Sequence, residues 1–366
     1  MRTLALCLML VSCAPQGRNL GNGDGTGSGE DAGLTFPQYD LAVDPYADND
    51  HDGFTPAQGD CNDNDPLVGP MAVEVPNNGI DDDCDGIVDD VKPPCDGMLS
   101  GKGDAASLAA SIGLCDKRFL LSTTLTAADP RAVQILPNYG TNYTPKEGAM
   151  IAAMSTGIAA REGDKGYVSP QEGTAFTAVD PNPDPNVPVV KNCGQTSQPT
   201  DVNDMTTLEL KLRVPQNAKS FSFSFVYDSA EYPEFVCTAY NDTFLAELQS
   251  KMYPTFQNVS FDSSGHPITV NNALFTVCNN WTTAETKNCE TPGSELEGTG
   301  YEKPAGNNLV GGGTGWLTTT VPVDYLETIT LRFIIFDEGD HIYDSAVVLD
   351  NFTWSLNAAS GPITIP

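Results

Sequence analysis

"TLELKLRV" at residues 207–214 and "SFSFSFVY" at residues 220–227 decide the fold. Leu208, Leu210, Leu212 and Val214 alternate with polar neighbours in the first stretch; Phe221, Phe223 and Phe225 alternate with serine in the second. A period of two gives each strand one apolar and one polar face. "TITLRFIIF" (328–336) and "SAVVLDNFTWSL" (345–356) are apolar enough to be partly buried on both faces. Pro, Gly and Asn turns separate such runs over about 250 residues, with one helical pattern at 103–116 carrying Leu108, Ile112 and Leu114. The expected fold is mainly β, a β-sandwich or jelly roll over residues 95–357. The Pro-rich stretch at 180–190 reads as a surface loop.

Outward from that core the composition changes. The chain has 366 residues, a net charge of -31 and 40 % hydrophobic residues, enough for a real core. Its acidity excludes nucleic acid as a partner and favours hard cations. Residues 39–92 form an acidic module; between Asp40 and Asp90 lie fifteen Asp or Glu and no Lys or Arg. One pattern occurs there twice: Asp48-x-Asp50-x-Asp52-Gly53-Phe54 returns as Asp81-x-Asp83-x-Asp85-Gly86-Ile87. This is the front half of a calcium loop: three acids converge, glycine permits the turn, and the next carbonyl adds an oxygen. The twelfth position holds Gly59 in one copy and Lys92 in the other, so neither is an EF-hand. Asp60, Asp63 and Asp65 are candidates to close the first loop, and Asp89 or Asp90 the second. Carboxylates ~5 Å apart repel by about 3 kcal/mol at an effective dielectric near 20, so a compact loop needs a counter-charge. All-oxygen ligands select Ca2+. The bland alternative is a solvated acidic linker.

Met1-Arg2 and the apolar run Leu4–Val11 read as a signal peptide over residues 1–12. The Gly-rich residues 13–38 read as a flexible, disordered tether. Eight cysteines remain after Cys7 and Cys13, an even number that suits disulfides in an exported chain. Proximity pairs Cys61 with Cys84, Cys95 with Cys115, Cys193 with Cys237, and Cys278 with Cys289. A zinc site would want a C-x-x-C pair, which is absent.

Three family resemblances rest on these residues. Leu10-Val11-Ser12-Cys13 resembles a bacterial lipobox, which implies that Cys13 is acylated and anchors the chain at the outer membrane or cell surface. Asp60-Cys61-Asn62-Asp63, Glu74 and Gly79 to Gly86 with Asp89 resemble the MopE-type metal-binding motif, although Pro76 stands where that motif has a cysteine. The copper attached to that family's name finds no cluster of Met, His or Trp here, only His51. Ser229, Glu231, Tyr232, Pro233, Glu234, Asn241, Asp242, Asp337, Asp340, Tyr343, Asp344 and Ser345 resemble the choice-of-anchor L domain, which implies a surface location and no established reaction.

Read by chemistry alone, Asp228, Glu231, Asn241, Asp242, Asp340 and Asp344 follow strand ends, where they either gather round a second calcium or cap turns. The expected protein is non-enzymatic: a lipid-anchored surface protein with a calcium-stabilised module and a sandwich for interaction or adhesion. The rivals are a glycan receptor, stacking sugars on Trp281, Trp316 or Trp354, and a glycan hydrolase using Glu231 and Glu338. His266 and His341 are isolated in the sequence.

Overall fold

The computed structural model describes residues 44–99, 101–176, 202–238, 240–271, 274–278, 291–302 and 311–366. Cys7, Cys13, the tether, the Pro-rich stretch, Cys193, Trp281 and Cys289 lie outside the described residues. Residues Pro45–Pro366 form one compact unit, so the acidic module and the β domain belong together.

After one helix, α1 (Ala105–Ser111), come β1 (Leu120–Ala127), β2 (Val133–Leu136), β3 (Ile151–Ser155), β4 (Val202–Arg213), β5 (Ser220–Ser229) and β6 (Thr243–Gln249). Five two-residue strands follow: β7 (Gln257–Asn258), β8 (Ile268–Thr269), β9 (Val277–Cys278), β10 (Thr291–Pro292) and β11 (Gly312–Gly313). The chain ends with β12 (Leu317–Pro322), β13 (Thr328–Glu338), β14 (Ser345–Ser355) and β15 (Ile363–Ile365). One sheet runs β1-β4-β13-β6-β7, with β8 on β6; the other runs β10-β9-β11-β5-β14-β3-β2, with β12 joining β5 to β15.

The alternating residues make the layer between the sheets. Leu208, Leu210 and Leu212 of β4, Phe244 and Ala246 of β6, and Leu331, Phe333 and Ile335 of β13 come from one side. Phe221, Phe223, Phe225 and Tyr227 of β5, with Val347 and Leu349 of β14, come from the other. Phe223 meets Phe333 edge-on at 4.9 Å, and Phe225 meets Phe244 at 5.0 Å, so aromatic pairs lock the two sheets. The opposite faces are also covered. Val226, Ala346 and Val348 pack with Tyr139, Tyr143 and Tyr301, while Ile334, Phe336 and Leu245 form a smaller cluster. This double burial explains why the last long strands lack clean alternation.

Helix α1 starts where Asp104 caps it by accepting from the Ser107 amide at 2.8 Å, and it buries Leu108 and Ala109. Two disulfides, Cys61–Cys84 and Cys95–Cys115, span sequence separations of 23 and 20. Each restricts the unfolded chain by roughly 3 kcal/mol on the loop-entropy account. Cys237 and Cys278 are also disulfide-bonded.

The module is docked on the sandwich rather than strung from it. The Asn217 side chain, in the β4–β5 turn, donates to the Val73 carbonyl at 2.8 Å and accepts from its amide at 3.0 Å. Its neighbour Gln216 donates to the carbonyls of Pro66 and Val68 and to the Asp52 carboxylate. Gly69 lets the chains approach closely at this contact: a Cβ there would lie 2.7 Å from the Gln216 side-chain amide and displace it.

Candidate functional site

The two acidic repeats fold alike. At the first position Asp48 accepts from the Gly53 amide at 3.2 Å, and Asp81 from the Gly86 amide at 2.9 Å. At the fifth, Asp52 accepts from the Phe54 amide at 2.7 Å, and Asp85 from Ile87 at 3.0 Å. Both loops take left-handed backbone at the fourth position (His51 φ 65°, Cys84 φ 57°) and at the glycine (Gly53 φ 100°, Gly86 φ 96°). Recurrence of spacing thus becomes recurrence of shape.

In the first loop, ligand oxygens of Asp48, Asp50 and Asp52 lie within 4.8 Å of one another, as do those of Asp50, Asp60 and Asp63. Asp50 belongs to both groups. Asp48 Oδ1, Asp50 Oδ2 and Asp60 Oδ2 are buried and accept no hydrogen bond. Burial pushes the Asp52 carboxyl up to about 6, with Asp50, Asp60 and Asp48 adding repulsion. Burial also raises Asp60. These groups fit a hard divalent cation: several anionic oxygens converge and lack donors. Asp65 instead caps a turn, accepting from the Leu67 amide at 3.1 Å.

In the second loop, Asp81, Asp83 and Asp85 come together, but a different group, Glu74, Asp83 and Asp90, is the better enclosed. Glu74 Oε2, Asp83 Oδ1 and Asp90 Oδ1 are all buried without a donor. The other Asp83 oxygen faces cations of the chain itself, Lys92 Nζ at 2.9 Å and Arg118 Nη2 at 2.8 Å. Asp89 is spent on the amides of Asn78 and Gly79. Glu74 and Asp90 join this site through the fold; Glu74 was legible only through its place in the family pattern.

The large domain brings a second set of acids to one end of the intersheet core. The Glu231 carboxylate accepts from the Asp242 amide at 3.2 Å; Asp242 accepts from Ser345 Oγ at 2.6 Å and from the Glu338 amide at 3.4 Å. The Asn241 side chain donates to Glu338 at 3.4 Å. Burial pushes Asp242 up to about 7 and Glu338 up to about 8. It drives Glu231 and Asp337 well above the carboxylate range. Of the other three expected members, Asp340 and Asp344 lie near enough to add repulsion to the cluster while each also accepts from a loop amide, and Asp228 faces away. Asp340 caps the turn at Ile342, and Asp344 accepts from the Thr174 amide at 3.0 Å. Asp228 lies on the opposite face of β5, against Gly313. Strand-end position predicted convergence, whereas alternation along β5 sends Asp228 the other way.

A two-sheet β-sandwich with a disulfide-closed module of clustered acids defines a class of mainly β proteins equipped to hold a metal ion. Within that class the chain belongs to the choice-of-anchor L domain family, whose model matches residues 138–354. A second family model, described as "Putative metal-binding motif", matches residues 60–90. No curated protein and no solved structure matches the chain. Among the described residues no helix is long and apolar enough to cross a membrane.

Proposed function

We propose that the protein is held at the bacterial cell surface by a lipid on Cys13, and that its acidic module binds Ca2+ to stabilise a sandwich used for interaction or adhesion. The observation that carries the metal reading is the convergence of donor-less buried oxygens around Asp50 and around Asp83. Calcium suits them better than magnesium, because irregular all-oxygen groups favour the ion with the more flexible coordination. The two repeats flank the contact with Gln216 and Arg118, so a bound ion would also hold the module against the sandwich.

Calorimetric titration of the full chain with calcium and with magnesium tests this. Calcium should bind in preference; Asp50→Asn should remove the first-loop ion and Asp83→Asn the second. Heat absent for both metals defeats the reading. Cys13→Ala should move the protein from the membrane to the soluble fraction; a variant that stays membrane-bound defeats the lipid anchor.

A glycan receptor is the second reading, favoured by a cleft of about 500 Å³ between module and sandwich, lined by Phe119, Phe352, Trp354, Pro93 and Arg118. Glycan-array binding without sugar release would support it. The hydrolase reading is weaker, since Glu231 and Glu338 are only 1 % and 4 % exposed and reach no open cleft.

A further inference from the structure

We infer that the end of the sandwich core is itself a cation site, built on Asp242 and Asp337 with the Tyr227 hydroxyl, separate from the module. The placement follows from strand alternation. Phe221, Phe223 and Phe225 succeed one another on the inner face of β5, as do Leu331, Phe333 and Ile335 on β13, Ala246 and Phe244 on β6, and Leu349 and Val347 on β14. One step further along each strand the apolar series ends in polar residues. Those residues are Tyr227, Asp337, Asp242 and Ser345, and each is at most 2 % exposed. Asp337 reaches this face across the register shift that follows Ile335 in its pairing with β4.

The Asp242 and Asp337 carboxyls lie in side-chain contact. Neither Asp337 oxygen nor the Tyr227 hydroxyl makes a hydrogen bond of full geometry, although Asp242 and Thr156 lie beside the first and Ser345 beside the second. Of the neighbouring hydroxyls, Ser345 Oγ donates to Asp242, and Thr156 Oγ1 accepts from the Ser345 amide at 2.9 Å. Among the described residues no Lys or Arg pairs with Glu231, Asp242, Asp337 or Glu338. Once ionised, these buried carboxyls need a counter-charge, which a bound cation supplies in place of the proton that burial otherwise keeps on them. Two carboxylates with neutral hydroxyl oxygens make a mixed oxygen set suited to calcium. No third carboxylate completes a close group here, unlike in the module, so the neutral oxygens must complete the shell. Enclosure at the end of the core makes exchange slow.

The test counts calcium retained by the full chain after passage through chelator. Asp50→Asn/Asp83→Asn, which removes a carboxylate shared within each pair of module groups, should still retain one calcium per chain. Adding Asp337→Asn should remove it, and Tyr227→Phe should speed its loss. Because Asp337→Asn can fail to fold, the double module variant is also heated with and without calcium; its intact sandwich should melt higher with the ion. No retained ion and no calcium effect on melting in that variant overturn the inference. Failure of the module reading would show instead in unchanged calcium titration on Asp50→Asn/Asp83→Asn.

Discussion

Asp350, 1 % exposed on β14, accepts the amides of Lys146 at 2.5 Å, Glu147 at 3.2 Å and Asn351 at 2.7 Å. Burial outweighs these donors and lifts its carboxyl from 3.8 to about 6, with Asp96 adding repulsion. A raised acid favours the fold when protonated, so its contribution is complete below the unfolded value and is lost as pH rises to about 6. The loss amounts to roughly 3 kcal/mol at most, by the free-energy equivalent of the shift. The stability difference between the wild type and Asp350→Asn should therefore change between pH 4 and pH 7, moving in the variant's favour as pH rises. Parallel urea-unfolding curves at the two pH values would refute this. Asp350 carried no signal in the sequence, and neither did Tyr227: one acid or tyrosine in an apolar strand looks like any other. The acids of the module were legible because a calcium-type loop is local, its spacing and glycine fixed by seven consecutive residues. Glu74 and Asp90 come to the second loop from outside that heptad; the sequence offers Asp90 as a closing residue, and only the family motif marks Glu74.

At the scale of elements, legibility follows length and one-sidedness. β4 and β5 announce themselves because period two over eight residues has a single reading. Helix α1 is marked by the spacing of Leu108, Ile112 and Leu114. The two-residue strands β7 to β11 carry no periodicity; tertiary pairing creates them, such as Gly312 of β11 opposite Ser229. The inner face of β5 is the keystone of this arrangement. Phe223, 1 % exposed, contacts the rings of Phe221, Phe225 and Phe333, linking neighbours on its strand to the facing sheet. Phe223→Ala should cost about 3–5 kcal/mol through lost transfer energy and a residual cavity. Ser222→Ala, one residue away on the opposite face, should change stability by less than about 0.5 kcal/mol. Denaturant midpoints for the pair check this; equal losses would mean that the inner face had been assigned wrongly.

At the scale of the molecule, 49 acidic residues face 18 basic ones, and two of the cations, Lys92 and Arg118, meet at Asp83 of the second acidic loop. Arg118, between α1 and β1, joins Asp83 to Asp116 and donates to the Pro70 carbonyl at 3.2 Å. With Gln216 and Asn217 it forms the seam between module and sandwich. The sequence predicts a stiff junction at "VKPPCDG" (91–97) but says nothing of this seam, since its partners lie far apart in the chain. The seam uses hydrogen bonds and one half-buried ion pair, Arg118 with Asp83, whereas the sandwich rests on a continuous apolar layer, so the module should open first. Breaking the Asn217 pair with the Val73 backbone and the Gln216 contacts leaves buried carbonyls unsatisfied, at about 1–3 kcal/mol each. Gln216→Ala/Asn217→Ala should therefore raise protease cleavage within residues 60–95 by an order of magnitude or more, with the sandwich intact. Calcium should suppress the cleavage if ions brace the loops, and a chelator should restore it. Cleavage unchanged from the wild type in chelator would show that the disulfides alone hold the module, and that the seam adds nothing.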